Sequence, residues 1–419
     1  MTESAWVDGQ RWQRWHHWQR WKPWAVWGGF ALWLIAAPLL FPSSLARSIL
    51  AQIGYLGIVC LSYNLLLGQG GMLSFGHAVY TGVGSFMAIH AINWASQGVW
   101  VIPLVWVPLL GGVAGLLCAA LLGFVSTRKS GTTFAMITLG LGELVAAMAL
   151  MFPQWFGGEG GITANRVYGD GFFGFRFGPA LQVYYLIAAY AFVCTAALFA
   201  FTGTPLGKLL NAVRDNAERV AFIGYNPQRV RYAAFTIAGG FAGVGGALAA
   251  INFEIVTGAD SFSMARSGSF LLFTFLGGAT FFYGPLIGAA LLVLSSVLLS
   301  EWTPAWLLYL GLVFLGMVVY APGGVASLLA QMLAWRGRLS AAAIGMAASA
   351  VLALLGAVGM VEMTYHLQRN SAAGPVLQRF GISWDASAPA SWWGAALVLL
   401  AGLGLMALCQ RWRKSNQAS

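Results

Sequence analysis

The stretch Thr202–Tyr232, TGTPLGKLLNAVRDNAERVAFIGYNPQRVRY, gathers Lys208, Arg214, Asp215, Glu218, Arg219, Arg229 and Arg231 between two runs without a charged residue, Val183–Phe201 and Ala233–Ile251. Each run approaches the roughly 20 apolar residues that cross a hydrocarbon core as a helix. Uncharged runs flanking a basic hinge read as two membrane helices joined by a cytoplasmic loop. The fold class follows: an all-α, polytopic transmembrane bundle.

Composition agrees, with 59% hydrophobic and 8% charged residues and a mean hydropathy of +0.74. Glycine supplies 54 of 419 residues, and small residues let membrane helices approach closely. Gly111/Gly115 and Gly239/Gly243 have the small-xxx-small spacing, which reads as helix packing. The four cysteines, Cys60, Cys118, Cys194 and Cys409, lie in or at the end of apolar runs without metal-site or disulfide spacing. The net charge of +10 is spread over short loops, so it orients the chain in a bilayer and does not form a nucleic-acid face.

No cleavable signal is expected, because a polar, Arg-rich segment precedes the first apolar run. Residues 1–23 read as a cytoplasmic interfacial segment, with Trp12, Trp15, Trp18 and Trp21 alternating with Arg11, Arg14, Arg20 and Lys22, and Trp24 and Trp27 continuing the spacing. Seven passes are expected between Trp24 and Ile251, one of them from Met72 to Ile92. The run Ser269–Ser300 is too long for one pass, and Gly284-Pro285 divides it, since proline breaks a helix or opens a new one. Dividing it, and adding three later passes, gives twelve with both termini cytoplasmic. Only Arg47, Arg166, Arg176, Arg266, Arg369 and Arg379 then lie outside, as the positive-inside rule prefers.

Of the charged residues only Glu143 lies mid-span; it is either a functional carboxylate or a paired structural one. Asn64, Gln69, Ser74 and His77 surround a Gly-rich turn that could break a helix where backbone lines a cavity. A Ser74/His77 nucleophile pair would need a third orienting group and an oxyanion site, and neither is visible. Gly203-Thr-Pro-Leu-Gly207-Lys208-Leu209 imitates a phosphate loop but has three residues between its glycines and no Ser or Thr after the lysine to reach Mg²⁺. Any ATP is hydrolysed on another chain.

Several blocks in order resemble the permease subunits of branched-chain amino acid (LIV-type, LivM/LivH) ABC importers. They are Asn64-Leu-Leu-Leu-Gly68 through Leu73-Ser74-Phe75-Gly76-His77-Ala78, Phe134-Ala-Met-Ile-Thr138-Leu139 with Glu143, and Gly157-Gly-Glu-Gly-Gly161-Ile162. Gly207 to Gly224, Leu276-Gly-Gly278 to Gly284-Pro285, and Pro322-Gly-Gly324 complete the pattern. The resemblance implies a permease core over residues 24–330 with a coupling loop at 202–232, in the bacterial inner membrane. It implies no cofactor in this chain, and two ATPase subunits that carry ATP and Mg²⁺. A second permease subunit and an external solute-binding protein are the other implied partners, in a lipid bilayer and with no nucleic acid. The substrate path then includes Asn64, Gln69, Ser74, His77, Thr138 and Glu143, and ATPase coupling falls to Gly207, Ala212, Arg214, Asp215, Arg219 and Gly224. No catalytic or metal residues are implied. Branched-chain amino acids are the expected substrate, although the same architecture serves other amino acids, urea, short amides and aromatic acids. An ion-coupled secondary transporter using Glu143 is the alternative. The Trp-rich start, residues 331–419 with two further predicted helices, and Asn226-Pro227-Gln228 depart from the family pattern.

Overall fold

The computed structural model describes residues 23–100, 102–168, 176–303, 305–321, 323–334, 341–369, 376–379 and 382–418. The expected interfacial tryptophans and arginines of residues 1–22 lie outside them. The chain forms two compact units. The first holds residues up to Val293 with Ala321–Ser327, and the second holds Leu294–Tyr320 with Leu328 onward. The segment expected as an extension from residue 331 therefore belongs to a unit that already begins at Leu294.

In the first unit, α1 (Pro23–Leu40), α2 (Ser44–Asn64), α3 (His77–Ser96), α4 (Val107–Ser126), α5 (Gly131–Met151) and α6 (Ala180–Gly203) precede two short helices, α7 (Pro205–Asp215) and α8 (Ala217–Phe222). After them come α9 (Pro227–Phe253), α10 (Met264–Gly277) and α11 (Gly284–Leu294). Among the described residues six helices are long and apolar enough to cross a membrane. α3 is not one of them, because His77, Thr81, Ser85, His90 and Asn93 dilute its hydropathy, although most of it is buried inside the protein. The long run near residue 285 does break: α10 ends at Gly277, Gly278 takes φ +116, and Gly284-Pro285 open α11.

Glycines set the centre of this unit. A Cβ on Gly243 would lie 2.3 Å from the Gly111 carbonyl oxygen, and one on Gly115 would lie 2.5 Å from that of Gly239. The two small-xxx-small pairs of the sequence therefore face each other across α4 and α9, backbone against backbone. α3 joins them, since a Cβ on Gly84 would lie 2.2 Å from the Gly243 oxygen. Trp27 of α1 packs edge-on against Phe192 and Phe199 of α6.

On the face that carries the long loop after α5, β1 (Ile162–Thr163) pairs antiparallel with β2 (Ile255–Val256). Arg166 ties this face together. Its backbone N–H donates to Glu254 Oε1 (3.0 Å), and its guanidinium donates to the carbonyls of Phe177 (2.9 Å) and Gly178 (3.1 Å). Tyr168 donates to the Ile102 carbonyl (3.0 Å), and burial pushes its phenol up to about 12.

The second unit contains α12 (Trp306–Tyr320), α13 (Gly324–Ala334, whose first residues belong to the first unit), α14 (Ala341–Arg369) and α15 (Pro389–Ala418). β3 (Val376–Arg379) and β4 (Ile382–Asp385) form an antiparallel hairpin between the last two helices. A carboxylate oxygen of Glu362 accepts from both Thr303 Oγ1 and Tyr309 Oη.

Candidate functional site: a broken helix held by a helix of the charged hinge

α2 ends in a wide π-helical turn, Leu65–Gln69, and residues 71–76 follow as irregular, non-helical backbone until α3 begins at His77. The pass expected to start at Met72 therefore starts five residues later. Hydropathy cannot separate a buried irregular segment from a helix, and here Gly71, with its positive φ, keeps the backbone out of one. Irregular backbone inside a membrane bundle must find partners, and it does. Tyr63 Oη donates to the Ser74 carbonyl (2.8 Å), the Phe75 N–H donates to Thr138 Oγ1 (3.2 Å), and the Ala78 N–H donates to Ser267 Oγ on α10 (3.0 Å). Ser62 lies 18 residues beyond the start of α2, roughly 27 Å along it at 1.5 Å per residue. His77 bonds to that serine, so α3 opens well inside the bundle.

His77 is fully buried between the edges of Tyr63 and Tyr80, with ring centroids 5.0 and 6.0 Å away. Ser62 Oγ donates to the Val59 carbonyl (2.7 Å), which leaves its oxygen to accept from His77 Nε2 (2.9 Å). His77 Nδ1, Ser74 Oγ and Asn64 Oδ1 are buried without a hydrogen-bond partner. Ser74 and His77 are thus not joined as a nucleophile and base. They are two of three polar side chains with spare capacity around one break. Unsatisfied buried polar atoms are costly, and they suit a polar solute or water that comes and goes.

Of the other expected path residues, Thr138 belongs here: its hydroxyl accepts from Phe75, and a Cβ on Gly76 would lie 2.5 Å from its carbonyl oxygen. Gln69 sits half-buried in the π turn. Glu143 is not brought in. It is exposed on α5, one position beyond Gly142, whose own Cβ would lie 3.5 Å from Gly76 Cα. Ser62, Tyr63 and Ser267 do belong to the site and were missed by the sequence reading. Only Tyr63 and Ser62, immediately before Asn64, carried any local signal.

The charged hinge folds into α7 and α8. Thr204 caps α7 by accepting from the Gly207 N–H (3.2 Å), with Pro205 in the first turn. Asn216 caps α8 through the Arg219 N–H (2.9 Å). The unfamiliar Asn226-Pro227-Gln228 is a third cap: Asn226 Oδ1 accepts from Gln228 and Arg229 N–H groups at 2.9 and 3.3 Å. α7 buries Leu210 and Val213 in the same apolar cluster as Leu65, Leu66 and Met72.

The expected coupling residues divide in two. Gly207 packs inward, where a Cβ would lie 2.3 Å from the Phe201 oxygen, and Ala212 packs against the apolar cluster. Arg214 reaches into the break: its guanidinium donates to the Gly68 carbonyl, and its stem fills the space beside Gly71, where a Cβ would lie 2.7 Å from Arg214 Cγ. Gly71 holds φ +62, so both its backbone and this approach call for glycine. Asp215, Arg219 and Gly224 stay exposed, with Phe222 at 89%, Ile223 at 65% and Tyr225 at 51% exposure forming an apolar tip.

The candidate site is thus a break inside a many-helix apolar core, with Arg214 of the charged hinge bonded to it. The profile of one family, described as "Branched-chain amino acid transport system / permease component", matches residues 45–322. The chain belongs to this family. It is 28% identical over 293 residues to the "High-affinity branched-chain amino acid transport system permease protein LivM" of Escherichia coli (strain K12), covering 64% of this chain and 67% of that protein. It is 29% identical over 292 residues to the protein of the same name from Salmonella typhimurium (strain LT2), with the same coverage. No solved structure gives a significant match. The match spans both breaks and the α7–α8 hinge, so all the elements of the site lie within the shared region. The protein is a multi-pass membrane permease subunit.

Proposed function

We propose that this chain is a membrane-spanning subunit of an ATP-driven importer of branched-chain amino acids in the bacterial inner membrane, with both termini cytoplasmic. It works with a second permease subunit, two ATPase subunits that bind ATP and Mg²⁺, and an external solute-binding protein. The observation that carries this reading is the grip of Arg214 on Gly68 and Gly71. It gives a soluble motor a mechanical connection to a broken helix inside the bundle. The exposed tip Phe222–Tyr225, with Arg219 beside it, is the face offered to the ATPases. Closure of the ATPases on ATP moves α7 and α8, α7 moves the break, and access to the path alternates between two states. The ion-coupled alternative used Glu143 as its coupling site; that side chain is exposed on α5, and the family match does not favour that reading.

The test is co-purification of tagged protein from its native membrane. Wild type brings down ATPase subunits and Arg219→Glu/Phe222→Glu does not, at equal membrane abundance. Absence of ATPases from both samples rejects the reading.

A further inference from the structure

Behind the turn Gly258–Ser261, a cleft enters the first unit between α2, α3, α9 and α10. Its volume is about 10 Å³, room for about one water. Among the described residues that line it, Arg266 is the only charged one. Arg266 pairs with Asp260, the arginine side chain 26% exposed and the aspartate side chain 70% exposed. Leu56 and Phe270 supply aliphatic and aromatic walls, and Gly82 and Gly246 let α3 pack closely against Phe262 and α9 beside the cleft. Ser85 shares its one hydroxyl proton between the Gly246 carbonyl (2.8 Å) and the Thr81 carbonyl (3.0 Å), which leaves its oxygen able to accept in the cleft.

An arginine in such a cleft needs an anion, because a half-desolvated unpaired charge is costly. The anion it holds comes from a mostly exposed aspartate on a single helical turn, a weak and easily exchanged pairing. The guanidinium fork accepts any planar carboxylate in the same geometry. We infer that this cleft receives the carboxylate of a small aliphatic amino acid at Arg266, for which Asp260 is the intramolecular stand-in. The inference rests on the import reading above. The aliphatic side chain lies against Leu56 and Phe270, and the ammonium donates to the Ser85 oxygen of α3. With Asp260 in place the cleft is shut to one water; substrate displaces Asp260 and parts α10 from α2 and α3. Because Asp260 competes for the same fork, the site holds its solute loosely and releases it inward.

The experiment uses the complete transporter with its binding protein in proteoliposomes, radiolabelled L-leucine as the probe, and two readouts: uptake, and ATP hydrolysis stimulated by the loaded binding protein. Arg266→Gln lowers leucine uptake about tenfold or more while stimulated hydrolysis stays within about twofold of wild type, and Asp260→Asn leaves uptake at or above wild type. Uptake by Arg266→Gln within about twofold of wild type overturns the inference. Parallel loss of uptake and stimulated hydrolysis also overturns it, because that marks an arginine needed for shape or docking. So does an equal loss of uptake in Asp260→Asn, which would make the ion pair itself the working unit. A wild-type complex that imports no leucine rejects the import reading and this inference with it.

Discussion

Replacing Arg214 with alanine separates two roles that the hinge combines. A hydrogen bond from a charged donor contributes about 1.5–3 kcal/mol. Arg214 is 40% exposed and also paired with Asp215 at 3.0 Å, so screening reduces its hold on Gly68 to about 1 kcal/mol. Removal of the stem from beside Gly71 adds a few tenths more from lost packing. A change of about 1–1.4 kcal/mol shifts an equilibrium between two states by roughly five- to tenfold. The exposed tip at Phe222, where docking is proposed, is untouched by this substitution. In proteoliposomes containing the whole transporter, Arg214→Ala therefore keeps its ATPases and hydrolyses ATP within about twofold of wild type, while leucine imported per ATP falls roughly five- to tenfold. Arg214→Lys, which keeps the charge but loses the fork, falls between. Unchanged coupling in Arg214→Ala refutes the lever. Loss of the ATPases refutes the division of the hinge into an inner grip and an outer tip.

Gly71→Ala forces an L residue into φ +62 and a Cβ to 2.7 Å from Arg214 Cγ, so it lowers coupling as Arg214→Ala does, read in the same assay. Gly243→Val drives side-chain atoms into the Gly111 backbone; overpacking costs about 1–3 kcal/mol or more, and a lowered unfolding temperature in detergent checks it. Arg166→Ala takes the guanidinium from the carbonyls of Phe177, Gly178, Ile251 and Asn252 and from the Glu254 carboxylate, which keeps only its bond from the backbone N–H of residue 166. The cost is about 2–4 kcal/mol of local stability, seen as faster proteolysis of the 157–178 loop with ATPase binding intact. Tyr168 has its folded-state pKa raised from 10.0 to about 12. Its contribution is present in full below pH 10 and is lost as pH rises toward 12. The same loop becomes protease-sensitive over that window, and Tyr168→Phe removes the added sensitivity.

The elements of the fold were legible wherever one segment carries its own signal. Charge density between two uncharged runs marked the hinge, Gly284-Pro285 marked the second break, and Gly111/Gly115 and Gly239/Gly243 marked a packing stripe, although not that each pair is the other's partner. In the candidate site Asn64, Ser74 and His77 were legible because Gly70, Gly71 and Gly76 announce irregular backbone around them, and Thr138 only through the family resemblance. What was missed depends on orientation and distance along the chain. Ser267 caps α3 from 189 positions away, and Arg266 looks like any loop arginine until the cleft behind it is seen. Glu143 was placed in the path on the cost of a mid-span charge. A helix of period 3.6 turns adjacent positions by about 100°, so Gly142 faces Gly76 while Glu143 looks outward.

α3 connects the two ends of the molecule that matter. Its first residue bonds to α2 through Ser62, just beyond the segment that Arg214 grips at Gly68 and Gly71. Its second and third turns, with Thr81, Gly82 and Ser85, form a wall of the Arg266 cleft. From His77 to Ser85 is about 12 Å of rigid helix, and Gly84 and Gly246 hold that helix backbone-to-backbone against α9. A joint at residues 71–76, pinned by Tyr63 and Thr138 and followed by a stiff rod, passes displacement on. In the proposed cycle, motion of α7 tilts α3 about the joint and changes the width of the cleft at its far end. The glycine contacts that look like generic packing then have a mechanical role. A Gly84→Ala substitution that leaves the protein folded would raise α3 off α9 and uncouple the cleft from the hinge, even though position 84 touches neither substrate nor ATPase.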